Sequence, residues 1–153
     1  MSLILILFVL IVGSYSLFFY AQKPIVQAEN EAAMIARDTA GVENVDDFFW
    51  YNGTTDSYFT VGGHTEDGRY LYVVIKQNGG QVSIFDAKEI VTEEEAKAIL
   101  LSVKDDVHIM EARIGIEDEQ PFWEVSYQDE NGQLAYFLIS ARTGETIREY
   151  QNI

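Results

Sequence analysis

The chain repeats itself at a constant offset of 64 residues, and this constrains its fold more than any other feature. At that spacing Val61 falls on Val125, Glu66 on Glu130, Gly68 on Gly132, Tyr72 on Tyr136, Ile75 on Ile139 and Gly80 on Gly144. Further upstream, Glu29, Glu31, Ala32 and Ile35 fall on Glu93, Glu95, Ala96 and Ile99 without a gap. The matching positions cover a helical pattern and the strand patterns after it, so the repeat unit is a supersecondary module rather than a short motif. A chain of 153 residues then holds two small modules, each with a modest core, and small modules lean on one another.

Each unit reads as a helix followed by antiparallel strands. Pro24 to Thr39 places Pro at an opening turn and Ala28, Ala32, Ile35 and Ala36 at helical spacing, and Gly41 ends the segment. From Val42 to Phe85 aromatic and β-branched runs alternate with Asn-Gly and Asp-Gly turns, the pattern of hairpins. The boundary lies near Ala87 to Val91. Thr92 and Glu95 have capping-box spacing, and Ala96, Ile99, Leu100 and Val103 make the apolar stripe of a second helix. The matching strands are Val107 to Ile116, Pro121 to Gln128, Leu134 to Ser140 and Glu145 to Tyr150.

Ahead of the repeat, Leu3 to Tyr20 is free of charge; at about 1.5 Å per residue its helix would span about 27 Å, enough to cross the hydrocarbon of a bilayer. Phe19 is unsuited to a signal-peptidase site near Ala21, so the expectation is an uncleaved anchor over residues 1–23 with the bulk of the chain outside. The domain expectation is therefore an anchor at 1–23, a first module at 24–90 and a second at 91–153.

Charge and composition narrow the function. Twenty-five acidic residues face 10 basic ones, a net charge of -15, which repels phosphate backbones and anionic lipid heads and so disfavours nucleic-acid binding. Cysteine is absent, which excludes thiolate chemistry and disulfides. With His64 and His108 as the sole histidines, no catalytic set is apparent, and no catalytic, cofactor or metal residue is assigned. Asp105, Asp106 and His108 read as a turn, and Glu93 to Glu95 as the dipole-matched first turn of a helix. A carboxylate pair such as Glu124 with Asp129 is a conceivable acid and base, but alternation places Glu124 on the ordinary polar face of a strand.

The aromatic run Phe48, Phe49, Trp50 and Tyr51 is the sharper lead. Strand alternation sends two of the four away from any one core, so either the second module or a partner covers them. These four are the expected partner-binding residues. Trp123 and Tyr127, in contrast, read as core.

The second copy, from Thr92-Glu-Glu-Glu-Ala-Lys-Ala-Ile-Leu through Phe122-Trp-Glu-Val-Ser-Tyr to Ser140-Ala-Arg-Thr-Gly-Glu, resembles a PepSY domain, a small exported module of peptidase propeptides and anchored bacterial proteins. Anchor plus two copies, the first degenerate, resembles the YpmB-type family over the whole chain. Two departures stand out. Ser140 and Ala141 stand where that family commonly has Asp, and the first copy has Gln77-Asn78-Gly79-Gly80 in place of the Asp-x-x-Thr-Gly turn. The resemblance implies an α+β fold of two tandem, cystatin-like modules, each a helix on an antiparallel sheet of three or four strands, behind a transmembrane helix. It implies a noncatalytic, extracytoplasmic regulator of a peptidase or cell-wall enzyme, held in the cell membrane by a single pass. The alternatives are a cation- or wall-polymer-binding surface domain and, third, a small hydrolase.

Overall fold

The computed structural model describes residues 2–151, with side chains from Lys23 onward and at Leu7 and Leu10. Helix α1 (Ser2–Ala40) leads into strands β1 (Val42–Asn52), β2 (Ser57–Thr65), β3 (Tyr70–Lys76) and β4 (Val82–Asp86). Helix α2 (Glu93–Val103) then leads into β5 (His108–Glu117), β6 (Gln120–Gln128), β7 (Leu134–Ser140) and β8 (Thr146–Gln151). Each half is an antiparallel meander, ordered β1-β2-β3-β4 and β5-β6-β7-β8. Over the described residues the protein is α+β, with two four-stranded sheets and two helices.

One boundary differs from expectation. The first helix does not open at Pro24 but runs through it, with Pro24 in its interior. Proline there forfeits one backbone bond, at about 3 kcal/mol, and the helical stretches on both sides of it outweigh that local penalty. The helix ends at Gly41, whose N–H returns to the Arg37 carbonyl at 3.0 Å. Apart from Leu7, Leu10 and Lys23, the anchor expected at residues 1–23 lies outside the residues whose side chains are described; among the described residues no helix is long and apolar enough to cross a membrane.

The repeat is visible bond by bond. In the first half the Thr65 N–H donates to the Arg69 carbonyl at 2.9 Å and Gly68 N–H to the Thr65 carbonyl at 2.9 Å; in the second, Asp129 N–H donates to Gln133 at 3.0 Å and Gly132 N–H to Asp129 at 2.9 Å. Gly68 and Gly132 have φ of 80° and 76°, a left-handed conformation open to glycine at little cost. The side chain bracing each turn comes from the same position: Thr65 Oγ1 accepts from Arg69 N–H at 3.1 Å, and Asp129 Oδ1 accepts from Gln133 N–H at 2.8 Å.

The cores repeat as well. Ala32, Ala36, Val61, Leu71, Val73 and Ile75 are buried between α1 and its sheet. Their counterparts at the same offset, Ala96, Leu100, Val125, Ala135, Phe137 and Ile139, are buried in the second half, where α2 packs against β5 and β6. Alanines at 32, 36 and 96 let each helix approach its sheet closely. Helix α2 starts with the expected capping box: Thr92 Oγ1 accepts from Glu95 N–H at 3.3 Å and the Glu95 carboxylate accepts from Thr92 N–H at 2.8 Å.

The halves are locked together through the opposite face of the first sheet. Phe49, Tyr58, Tyr72 and Val74 leave that face and join one continuous core with the second half. Its centre is Trp123, fully buried, set edge-on to Phe49 with centroids 5.6 Å apart and to Tyr72 at 5.4 Å. The Trp123 Nε1–H donates to the Val91 carbonyl at 2.7 Å, which ties the connecting segment into the same core. A buried indole needs such a partner, and offset or edge-on ring packing adds about 1 kcal/mol per pair beyond the area buried.

Candidate functional site

Pleating sorts the aromatic run by face. Phe48 stacks on Phe59 at 5.7 Å and Trp50 leans on the same ring at 5.8 Å, both on the side of the sheet that carries α1. Trp50 remains 41% exposed. Phe49 and Tyr51 point the other way: Phe49 is buried against Trp123, and Tyr51 reaches Phe122 edge-on at 5.2 Å. Tyr51 reaches it by crossing the β5 backbone at Gly115. A Cβ on Gly115 would lie 2.8 Å from the Tyr51 ring and 2.9 Å from Phe122, so the absence of a side chain there is what admits the tyrosine.

Beyond that crossing point lies a cleft of about 860 Å³ between the halves. Its floor is the face of the second sheet turned away from α2. One row of side chains crosses all four strands, Arg113, Glu124, Leu138 and Arg148, since each is the register partner of the next. A parallel row runs Glu111, Ser126, Tyr136 and Tyr150. The far wall comes from the first half: Tyr51, the turn from Asn52 to Asp56, and Tyr58, whose ring stacks on Tyr51 at 6.3 Å. Asp118 and Glu119, in a turn with φ of 50° and 63°, close one end.

The charges in the cleft are unevenly matched. Lys76 pairs with Asp56 at 2.9 Å and Arg113 with Glu111 at 2.5 Å, while Arg148 contacts Glu117 and donates to Tyr150 Oη at 3.3 Å. Glu124 makes no hydrogen bond or ion pair among the described residues, and burial raises its carboxyl above the ordinary glutamate range, with Glu111 adding to the rise and Arg113 opposing it. Tyr51 is pushed up to about 12, first by burial and then by the nearby Glu124 and Glu117. The Arg113 Nε is buried without a partner. Five carboxylates and three cations line the space, so it is net acidic like the chain as a whole.

The other expected positions lie elsewhere. Asp129 does not meet Glu124; its carboxylate accepts from Asn131 and Gln133 N–H groups in the β6–β7 turn. His64 Nδ1 lies 2.6 Å from Asp46 and the ring stands edge-on to Tyr70, which donates to Asp47 at 2.5 Å. Among the described residues no group of three metal-ligating side chains converges. Of the aromatic run, Tyr51 is the member that lines the cleft, and Arg113, Glu124, Tyr136 and Arg148 join it. The signal for Arg113 and Glu124 is the offset itself, since they stand where the first copy has Phe49 and Thr60 and polarity rises on that face of the second copy; Tyr136 falls on Tyr72 and carries no such signal.

Residues 31–76 match the cell wall elongation regulator TseB-like domain, and residues 90–150 match the peptidase propeptide and YPEB domain, PepSY. The chain is built from a TseB-like domain and a PepSY domain. It is homologous to a protein of Bacillus subtilis called "Probable cell wall elongation regulator TseB", 28% identical over 151 residues that cover 95% of this chain and 89% of that protein. The solved YpmB protein from Bacillus subtilis superposes with a TM-score of 0.68 at 24% identity, covering 80% of this chain and 95% of that one, and shows the same fold. The cleft thus lies where the TseB-like half overhangs the helix-free face of the PepSY half.

Proposed function

We propose that this protein is a noncatalytic regulator at the cell envelope that acts by binding a protein partner, a cell-wall enzyme or a peptidase. The observation that carries the reading is the match to a named cell wall elongation regulator along 95% of the chain, through both halves. In this reading residues 1–23 hold the chain in the membrane with its bulk outside, residues 24–90 and 91–153 are the two modules, and neither half works alone because they share a core. The aromatic stretch contributes on both faces: Phe48 and Trp50 on the outer face, Phe49 and Tyr51 by shaping the junction. The charge of -15 favours a partner with a basic surface.

The test is affinity capture from envelope extracts with the full chain as bait, alongside Trp50→Ala. A wall-synthesising enzyme or peptidase is expected with the wild type and a weaker yield with Trp50→Ala. Failure of the wild type to retain any such enzyme refutes the reading; equal recovery by Trp50→Ala removes Trp50 from the contact.

A further inference from the structure

The helix-free face of each sheet sits at equivalent positions, yet the two faces meet different fates. In the first half, Phe49, Thr60 and Val74 form a row that is buried against protein, namely the second half of the same chain. In the second half the equivalent row is Arg113, Glu124 and Leu138, and it faces an open cleft. The face is thus one that the fold uses for docking protein, and its second copy carries the charged pair Arg113 and Glu124 on the floor of a cleft.

We propose that this cleft takes an extended, basic peptide segment of the partner, with Glu124 receiving an arginine or lysine. Three observations select this ligand. Glu124 is an unpaired carboxylate on the cleft floor, whereas the three cations around it already have carboxylate partners. Asp118 and Glu119, which close one end, make no ion pair among the described residues, so that end of the cleft is acidic. Tyr51, Tyr136 and Tyr150 line the cleft with aromatic rings and hydroxyls, which hold a cation by its attraction to the ring and a peptide by shape at low entropic cost. The cleft volume of about 860 Å³ suits a short stretch of chain.

This inference rests on the reading of the chain as a partner-binding regulator, and the experiment separates the two. The full-length chain in mild detergent is titrated with sublibraries of capped heptapeptides, each fixed at its central position as arginine, lysine, glutamate or leucine, and with chitotetraose as a glycan. The arginine and lysine sublibraries are expected to bind about tenfold or more tightly than the glutamate one, and Glu124→Gln to abolish that preference while leaving the unfolding midpoint no lower. Tyr136→Ala is expected to weaken all peptides alike. Binding with no basic preference, a preference that survives Glu124→Gln, binding of chitotetraose alone, or no binding of any probe overturns the proposal. If envelope capture succeeds equally with Glu124→Gln, the cleft assignment falls and the regulatory reading stands. If basic peptides bind but capture finds no envelope enzyme, the reverse holds.

Discussion

The two sheets share strand order, turn geometry and helix placement, but they differ on the face that carries no helix. In the TseB-like half that face is Phe49, Tyr58, Thr60, Tyr72 and Val74, all buried and fused to the neighbouring core. In the PepSY half the equivalents are Arg113, Phe122, Glu124, Tyr136 and Leu138; Phe122 and Leu138 are buried there too, but Arg113, Glu124 and Tyr136 are half-buried on the floor of a cleft. Duplication therefore preserved the side that each half needs for its own helix and released the other side. One copy spent its free face on joining the halves; the second copy's free face was left to acquire charge. A module of about 65 residues buries too little apolar surface to stand securely alone, which explains why one free face had to become an interface.

Exchanging equivalent residues between the two faces is expected to have the largest effect. Thr60→Glu imports the second half's carboxylate into a position that is fully buried in the first. An unpaired charge there is expected to cost about 4 kcal/mol or more, enough to unfold a marginally stable domain, as read by circular dichroism and denaturant midpoint. The reciprocal change, Glu124→Thr, is expected to leave stability unchanged or slightly higher. Equal losses from both would show that the two faces are energetically alike.

Next in size is the crossing point. Gly115→Val places a branched side chain where a Cβ already meets Tyr51 and Phe122 within 3 Å. Overpacking of this kind costs about 1–3 kcal/mol and should push the Tyr51 ring off Phe122. A Tyr51→Ala change made in addition is expected to recover part of the loss, because the ring that clashes is gone. A double mutant no better than the sum of the singles would mean that Tyr51 does not press on Gly115.

Much of this was legible in the letters. The offset located both meanders, because the glycines at 68, 80, 132 and 144 demand the same turns and the apolar alternation between them demands the same strands. The capping box at Thr92 and Glu95 marked the second helix. Two things were hidden. Pro24 reads as a start signal, since local chemistry prefers proline in a first turn, and the helical stretches flanking it override that preference. The cleft was hidden because it depends on how the halves sit together: Glu124 on a polar strand face is unremarkable until Tyr51 crosses Gly115 and walls it in. Of the aromatic run, the pleat predicted a division two by two, but the covering of Phe49 by Trp123 is a tertiary fact without a local signature.

A smaller effect comes from Thr60 itself. Its Oγ1 is buried without a hydrogen-bond partner, a remnant of polarity on the face that became interior. Thr60→Val keeps the shape and removes the orphaned hydroxyl, and a gain of about 1 kcal/mol in denaturant unfolding is expected. A loss instead would show that the hydroxyl is satisfied and that this face is not purely apolar in its demands.

The smallest effect separates the faces by pH. Burial raises the Glu124 carboxyl in the folded chain above its unfolded value, so between the two values the folded state holds a proton that the unfolded state has released. By linkage, stability then falls as pH rises from the ordinary glutamate range through the raised folded value, and above that window the ionised Glu124 is a standing destabilisation. Glu124→Gln cannot ionise, so it should flatten the stability profile in that window and leave the protein slightly more stable than wild type at neutral pH. No residue of the first half's equivalent row titrates there, so Thr60→Val should shift the whole profile without changing its slope. If Glu124→Gln also leaves the slope untouched, the carboxylate is as well solvated as a surface glutamate, and the cleft floor does not hold a charge in want of a partner.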